Sequence, residues 1–356
     1  MDLSYLSVMN RILSRVISLK FVFAFALIVT FAGIKTCYDY LSSAISWNSD
    51  ETFFIESGTS LEKIIKELSA RNIVRVPEKF LRTYAVLTSF RGSIKAGEYN
   101  LSHANNVIEL IELLRSGNVL KRKITFIEGW TFEQWRNHLK KSPYINQKLG
   151  GQKNDEAMAM ISEKADRMPE GYFFPDTYQF TRGDSDIQIL KRAHNKMVDV
   201  LGREWANRRI DGSLKDTYEV LILASIIERE TGVRGDRRKV SQVFLNRLRQ
   251  NIRLQSDPTV IYGLGGAFDG DLTRRDLRTP TPFNTYTNLG LPPTPIGMPS
   301  LASIRAALDP EEGEYLYFVA RGDGTTYFSK TLTEHNQAVE KYQRSGRLKK
   351  YQSTPK

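Results

Sequence analysis

The longest apolar run of the chain lies near its amino terminus. Residues 21–34 (FVFAFALIVTFAGI) contain no charged side chain, and Lys20 and Lys35 flank them on either side. As a helix, fourteen residues rise only about 21 Å, which is less than the roughly 30 Å hydrocarbon core of a bilayer. The flanking lysines can extend to the membrane interfaces and lengthen the effective span. The pattern predicts a transmembrane helix over residues 21–40.

The charges beside this run predict its orientation. Arg11 and Arg15 lie in the segment 1–20, and such basic flanks stay in the cytoplasm. A cleaved signal peptide is an alternative, but residues 30–32 (TFA) match the small-residue cleavage pattern poorly. A buried core helix is a further alternative. We favour an uncleaved signal anchor with a cytoplasmic basic flank, which places the chain from about residue 40 onward outside the cytoplasm.

The next segment alternates short strand-like and helix-like patterns over residues 50–120. Apolar residues recur at helical spacing between turn residues such as glycine and proline. The predicted elements are, in order, a strand at 52–55, a helix after Thr59 or Ser60, a helix opened by Pro77, a strand at 97–99 and a helix at 107–114. This order predicts a small α+β module.

Residues 121–340 predict a larger α+β domain. The sequence FIEGWT at 126–131 repeats most of FIESGT at 54–59, and each copy precedes an apolar-periodic helix, so both are expected at strand-to-helix corners. Residues 140–166 are polar and weakly patterned, which predicts an excursion or a flexible insert. A helix is expected at 187–201.

The candidate chemistry lies after the apolar run 220–227 (VLILASII). Such a run predicts a helix that is buried on every face, and it ends in Glu228 and Glu230. Burial raises the pKa of a carboxyl group toward neutrality, as a general acid requires. The two glutamates lie on different, equally apolar faces, and the small residues Ala224 and Ser225 mildly favour Glu228. Both could instead form ion pairs with neighbouring arginines.

A long segment rich in proline and glycine follows, from residue 254 to 293. Seven of the thirteen prolines fall between Pro258 and Pro299, which predicts an ordered loop system without regular structure. Amide groups and aromatic rings are the usual partners of a sugar, although peptide grooves use similar residues. The candidate substrate-binding residues are Gln255, Asp257, Tyr262, Asn284 and Tyr286. Asp257 could equally belong to a turn or a helix cap, or be a second catalytic carboxylate.

Composition and motifs argue against several kinds of site and ligand. The single cysteine, Cys37, excludes an internal disulfide, and four scattered histidines give no metal-ligand spacing. No nucleotide-binding or serine-hydrolase motif occurs, so we expect neither a metal nor a cofactor. The formal charge of +11 comes mostly from the two ends, since residues 341–356 carry six basic side chains and no acid. Nucleic-acid binding is therefore not indicated, and residues 341–356 are expected to form a disordered basic tail.

Four segments resemble one family over most of the chain. The endolytic murein transglycosylases of the MltG (YceG-like) family have similar motifs in the same order. The matching segments here are EGYFFPDTY (170–178), LASIIERETG (223–232), FLNRLRQNIRLQSDPTVIYG (244–263) and TPTPFNTYTNLGLPP (279–293). The resemblance implies a LysM-like module at 50–120 and a YceG-like catalytic domain at 121–340.

The resemblance also implies an activity and a place. It implies a bacterial inner-membrane enzyme, with its catalytic domain on the periplasmic or extracellular side, that cleaves the MurNAc–GlcNAc bond inside nascent glycan strands. Such an enzyme leaves 1,6-anhydroMurNAc ends, could terminate glycan elongation, and could act beside peptidoglycan synthases. The family's catalytic glutamate maps onto Glu228, and the loop residues named above would hold the sugars.

Two other functions fit the same residues. A peptidoglycan hydrolase would use Glu228 as the acid with Asp257 as the base. A glycan-binding scaffold protein would use the aromatic and amide side chains without any catalysis. The chemical nature of the cut ends separates the first alternative from a transglycosylase, and the loss of all cleavage products identifies the second.

Overall fold

A computed structural model describes residues 3–48, 51–88, 94–162, 168–209 and 212–345 of the chain. Helices and short strands occur in both of the units into which the chain divides. The first unit is Met1–Lys121 with Thr181–Gly183, and the second is Arg122–Phe180 with Asp184–Lys356. The mixed helix-and-strand class that the sequence predicts is therefore confirmed.

The first unit begins with one long helix, α1 (Leu3–Leu41). Its segment Leu19–Leu41 is long and apolar enough to cross a membrane, a property that membrane anchors share with signal sequences. Large apolar side chains of this segment, including Phe21, Phe25 and Phe31, are exposed rather than packed against the protein. The helix is longer than predicted because it also includes residues 3–20, in which apolar and polar residues are mixed.

The rest of the first unit has the predicted order of elements. They are β1 (Phe53–Ile55), α2 (Leu61–Ala70), α3 (Glu78–Leu87), β2 (Gly97–Tyr99) and α4 (Val107–Ser116). Ser60 begins α2, because its side chain accepts a hydrogen bond from the Lys63 backbone N–H. Strands β1 and β2 pair antiparallel, with Phe53 opposite Tyr99, and both of these rings are buried in the core. The similarity of this module to LysM stays a prediction.

The second unit contains most of the helices. Its elements are β3 (Lys121–Thr125), α5 (Phe132–Lys140), α6 (Asn154–Ile161), β4 (Thr177–Thr181), α7 (Asp186–Ala206), α8 (Thr217–Glu230), α9 (Arg237–Arg249), α10 (Asp257–Leu264), α11 (Arg274–Arg278), α12 (Leu301–Leu308), β5 (Tyr317–Ala320), β6 (Thr326–Ser329) and α13 (Leu332–Val339). Strand β3 pairs with β4, and β5 pairs antiparallel with β6.

Helix α8 lies at the centre of the second unit. Every residue from Val220 to Ile227 is buried, as the all-round apolar pattern predicts, and the helix packs against α7, α9 and α12. Asp216 caps its amino terminus by accepting hydrogen bonds from the backbone N–H groups of Tyr218 and Glu219. The buried body of the helix therefore fixes the positions of its last residues, which include Glu228 and Glu230.

A second cluster of this unit is aromatic. The rings of Phe126 and Trp135 stack with centroids 3.7 Å apart, beside the buried Phe173. The segment 140–166 contributes to this cluster, since its residues Ile145 and Met158 are buried there. Helix α6 also belongs to this segment. The prediction of a flexible insert is therefore wrong for residues 141–161, because a few well-spaced apolar residues bury this segment. Residues 163–167 lie outside the described residues.

The proline-rich segment is partly helical, which corrects the expectation of loops alone. Pro258 lies in the first turn of α10, where a helix needs no N–H donor. Thr273 and Asp276 form a capping box that begins α11. The predicted basic tail starts inside a short π-helix, Glu340–Arg344. Residues 346–356 lie outside the described residues.

Candidate active site

The carboxyl end of α8 places two glutamates in different surroundings. Glu228 Oε1 accepts a hydrogen bond from Arg237 Nη2 at 2.8 Å, and both side chains are less than a tenth exposed. Glu228 Oε2 accepts hydrogen bonds from the Ser300 backbone N–H, at 2.9 Å, and from the Ser300 hydroxyl. Glu228 therefore forms a buried ion pair in which both of its oxygens are engaged by the protein.

Glu128 lies next to Glu228, a proximity that the sequence did not predict. Partial burial and the Glu228 charge raise the pKa of Glu128, while Arg237 and Arg234 lower it. The chain turns directly after Glu128, at Gly129, whose φ is 76°. The Gly129 N–H donates a hydrogen bond to Met298 O at 2.8 Å, which holds this turn in place. The repeated sequence at 126–131 marks this corner, but its pattern gives no sign of the neighbouring carboxylate.

Glu230 has the property that a general acid requires. Burial raises its pKa to about 7, assisted by the Asp257 charge and opposed by a hydrogen bond from Ser256 and by Arg247. The Ser256 hydroxyl donates to Glu230 Oε1. Although Glu230 lies mostly inside the protein, part of the residue remains exposed to solvent. A carboxyl group whose pKa lies near 7 can both release and take up a proton at physiological pH.

Three of the five predicted substrate-binding residues gather around Glu230. The Tyr286 hydroxyl donates to Asp257 Oδ1 at 2.6 Å, and burial, followed by the hydrogen bond and charge of Asp257 and the charge of Glu230, raises the pKa of Tyr286. Gln255 is exposed, has a left-handed backbone with φ 52°, and accepts a hydrogen bond from Arg247 Nη1 at 3.2 Å. These residues form a polar and aromatic surface beside a titratable carboxyl group.

Arg247 fixes the position of this surface through its hydrogen bonds. Its guanidinium donates to the backbone oxygens of Leu316 at 2.7 Å, Leu254 at 2.9 Å and Arg253 at 3.1 Å, in addition to Gln255. Because the side chain is buried, these bonds fix the segment that precedes α10 against α9. Sequence reasoning did not single out Arg247, since an arginine in an amphipathic helix is usually a solvated residue.

The other two predicted residues are engaged within the protein. Asn284 is fully buried, and its amide donates to the backbone oxygens of Asp276, Leu277 and Thr279 at 3.2, 3.2 and 2.8 Å. The Tyr262 hydroxyl donates to Glu170 Oε2 at 3.0 Å. These contacts support a structural role for both residues and give no support for contact with a sugar.

Glu170 is a further buried carboxyl group of the second unit. It is 7% exposed, and burial raises its pKa to about 7, although the Phe132 backbone N–H and the Tyr262 hydroxyl donate hydrogen bonds to it and lower the pKa. The segment 170–178 is rich in aromatic residues, and its sequence gave no sign that this acid is buried with a raised pKa. Its position at the amino terminus of α5 suits a carboxyl group.

Glu170 makes the stability of the fold depend on pH. Because its pKa is higher in the folded chain than its ordinary value of 4.5, its stabilising contribution is complete below pH 4.5 and is lost as the pH rises toward 7. A shift from 4.5 to about 7 corresponds to about 3 kcal/mol of unfolding free energy. We expect E170Q, which keeps a neutral group there, to become more stable relative to wild type across this interval.

Urea unfolding of the two proteins in detergent at pH 4.5, 5.5, 6.5 and 7.5 measures this difference. The unfolding free energies should diverge with rising pH. The remaining pH dependence of E170Q then reports Glu230 and other groups. Parallel curves for the two proteins would show that Glu170 keeps an ordinary pKa in the folded chain.

The site offers carboxyl, hydroxyl and guanidinium groups. In the ranges that the structure describes, no group of three or more His, Cys, Asp or Glu side chains could hold a metal ion. What the arrangement can perform is proton transfer at Glu230, with hydrogen-bond donors and a tyrosine ring nearby to hold a neutral polar ligand.

Comparisons with known proteins agree with this architecture. Residues 53–341 match the model of the YceG-like family. An endolytic murein transglycosylase of Bacillus subtilis is 33% identical over 309 residues, covering 81% of this chain and 83% of that protein. One from Streptococcus pneumoniae is 24% identical over 82% of this chain, which spans 58% of that longer protein. A YceG-like protein of Listeria monocytogenes has a crystal structure with a TM-score of 0.52 and 31% identity, covering 81% of this chain and 98% of that one.

Proposed function

The chain belongs to the YceG-like family, and we propose that it is an endolytic murein transglycosylase whose catalytic acid is Glu230. The observation that carries the choice of residue is the position of Glu230 beside Ser256, Asp257 and Tyr286, together with its pKa of about 7. Glu170 has a similar pKa, but its carboxyl group is bonded to Phe132 and Tyr262 within the fold. The endolytic murein transglycosylases of Bacillus subtilis and Streptococcus pneumoniae support the activity. The resemblance of the sequence had pointed to Glu228, two residues earlier.

One carboxyl group suffices for the reaction. Protonated Glu230 gives its proton to the glycosidic oxygen that links N-acetylmuramic acid to the next sugar, and the bond to the leaving oxygen breaks. The resulting Glu230 carboxylate then takes the proton from the C6 hydroxyl of the same N-acetylmuramic acid. That hydroxyl oxygen bonds to C1 and closes a 1,6-anhydro ring, so no enzymic nucleophile is required. A pKa near 7 allows Glu230 to act in both directions.

The neighbours of Glu230 have distinct proposed roles. Ser256 donates to one oxygen of Glu230 and so fixes the orientation of the carboxyl group. The Asp257 carboxylate favours the protonated form of Glu230 and is itself oriented by the Tyr286 hydroxyl. Gln255 and the ring of Tyr286 would contact the sugars by hydrogen bonding and stacking.

Glu228 has a different role in this proposal. Its carboxylate is held by Arg237 and by two donors of Ser300, so it links the end of α8 to the start of α9 and of α12. Three donors engage the two oxygens of Glu228, whereas among the described residues Ser256 is the one donor to Glu230, so Glu230 is the more open of the two to a glycosidic oxygen. We therefore infer that Glu228 positions the end of α8, where Glu230 lies.

A glycan hydrolase remains the second candidate, because the Asp257 charge acts on Glu230. In that reaction Asp257 would activate a water molecule, and the product would end in a reducing sugar. Mass spectrometry of strands digested by the full chain in detergent separates the two reactions. We expect 1,6-anhydro ends, and reducing ends would establish the hydrolase. The absence of soluble fragments would favour a non-catalytic glycan-binding protein.

The apolar segment of α1 supports a location of the enzyme at a membrane. We propose that Leu19–Leu41 is a single-pass anchor in the bacterial inner membrane, with the second unit on the periplasmic or extracellular side. There the enzyme would cut nascent strands beside the peptidoglycan synthases and so terminate their elongation. Protease protection of membrane vesicles in each orientation would test the topology.

A further inference from the structure

A cavity lies on the side of α8 that carries Glu228. Its volume is about 600 Å³, and all of its lining belongs to the second unit. Glu128 contributes from the corner before α5, Arg234 from the short 3₁₀ turn before α9, and Arg305 from α12. Apolar side chains, among them Phe174 and Leu301, form another part of the wall. A cavity of this size accommodates several residues of a peptide.

Most of the charged groups in this cavity are already paired. Arg237 binds Glu228, and Arg305 binds both oxygens of Glu204 at 2.9 and 3.0 Å. Arg238 pairs with Asp309 at 3.3 Å. These pairs are part of the protein's own structure, so they are not the groups that a ligand would meet first.

The lining also includes Asp176, which is the remaining acid with an internal partner. Its carboxylate forms an ion pair with Lys196 of α7. A ligand would therefore gain little from this group, because the ion pair would have to be broken first.

Two opposite charges in the cavity have no such partner. Among the described residues, the Glu128 carboxylate accepts no hydrogen bond and forms no ion pair, and the same holds for the Arg234 guanidinium. Both side chains are exposed to solvent at the wall of one cavity. They influence each other electrostatically without direct contact, because the Arg234 charge lowers the pKa of Glu128. A cavity with one free anion and one free cation is complementary to a ligand that carries both charges.

We propose that this cavity binds the stem peptide of murein through a free ammonium group at Glu128 and a free carboxylate at Arg234. The inference rests on the proposed function for the identity of the polymer. Murein stems contain a diamino acid whose side-chain amine is charged until it is cross-linked, and they end in a carboxylate. The guanidinium fork of arginine suits a carboxylate by forming two parallel hydrogen bonds.

The proposal has a consequence for substrate choice. Cross-linking converts the side-chain ammonium into an amide, which has no charge to offer Glu128. The cavity would therefore favour strands with uncross-linked stems over cross-linked or peptide-free glycan. This deepens the proposed function by naming the part of the polymer, besides the sugars, that the enzyme recognises.

Binding of isolated stem peptides tests the proposal. The probe is a fluorescently labelled stem peptide with a free diamino-acid side chain and a free carboxyl terminus, and its anisotropy is measured with the full chain in detergent. Two further probes carry either an acetylated side-chain amine or an amidated carboxyl terminus. We expect each modification to weaken binding to the wild-type protein about tenfold, which is the loss of one charge-assisted contact.

Two variants assign each charge to its residue. R234Q should bind the free and the amidated peptide equally, and E128Q should bind the free and the acetylated peptide equally. K191Q, which removes an exposed charge on α7, should keep both of the wild-type differences. A merely structural effect would instead weaken all three probes by one factor.

Several outcomes would overturn the proposal. They are the absence of binding to the wild type, a uniform loss in R234Q or E128Q, and displacement of the peptide by inorganic phosphate at equal concentration. The last result would identify a general anion site. Because the peptide contains no glycosidic bond, its binding does not depend on the catalytic acid. A failure here is therefore distinguishable from a failure of the activity assigned to Glu230.

Discussion

The E230Q protein is expected to lose its transglycosylase activity by at least about 100-fold, because a positioned general acid contributes about 10²–10⁴-fold to a rate. Glutamine has the shape of the carboxyl group and can still accept a hydrogen bond from Ser256, but it cannot deliver or take up a proton. The fold and the loop surface should therefore remain while the chemistry stops. Release of anhydro-ended fragments from purified glycan strands measures the loss.

E228Q is the matched control, since it makes the same chemical change two residues earlier. Its amide oxygen can still accept a hydrogen bond from Arg237, but Arg237 loses its buried anion, so E228Q should be less stable than wild type. We expect the activity of the folded E228Q protein to stay within about tenfold of wild type. The opposite result, an inactive E228Q beside an active E230Q, would return the catalytic role to Glu228. Circular dichroism of both variants would establish that each remains folded.

The choice between these two glutamates shows where sequence reasoning stops. The apolar run 220–227 predicted the buried helix, its end and the presence of an acid there, because these depend on local pattern alone. The two glutamates differ in their partners, which are Arg237 and Ser300 for Glu228 and Ser256 for Glu230. Those contacts join segments up to 72 residues apart, and no spacing within the helix encodes them.

The loop residues show the same limit. Amide and aromatic residues in the proline-rich segment were all equally plausible sugar contacts from composition. In the structure Gln255 is exposed, whereas Asn284 is buried and its amide group donates hydrogen bonds to three backbone carbonyls. Proline content likewise concealed α10, because a proline in the first turn begins a helix as readily as it interrupts one. The order of elements in the first unit was predictable because each of its helices has its own amphipathic pattern.

The last prediction concerns the buried pair of Glu228 and Arg237. Replacing Arg237 with Met leaves the Glu228 carboxylate without its cation in a site where both side chains are less than a tenth exposed. Removing one partner of a buried pair destabilises a protein by about 3–5 kcal/mol, chiefly through the uncompensated charge. We expect R237M to lower the unfolding free energy by that amount, as measured by urea unfolding at pH 7.

The double variant E228Q/R237M isolates the cause of this loss. With no charge left at position 228, most of the stability should return, because a neutral amide that accepts hydrogen bonds from Ser300 costs far less to bury than a carboxylate. A double variant as unstable as R237M would mean that lost packing, not charge, is responsible. Recovery of stability together with activity would establish that the unpaired Glu228 charge destabilises R237M and that neither charge takes part in catalysis, since an enzyme lacking both would still cleave glycan through Glu230.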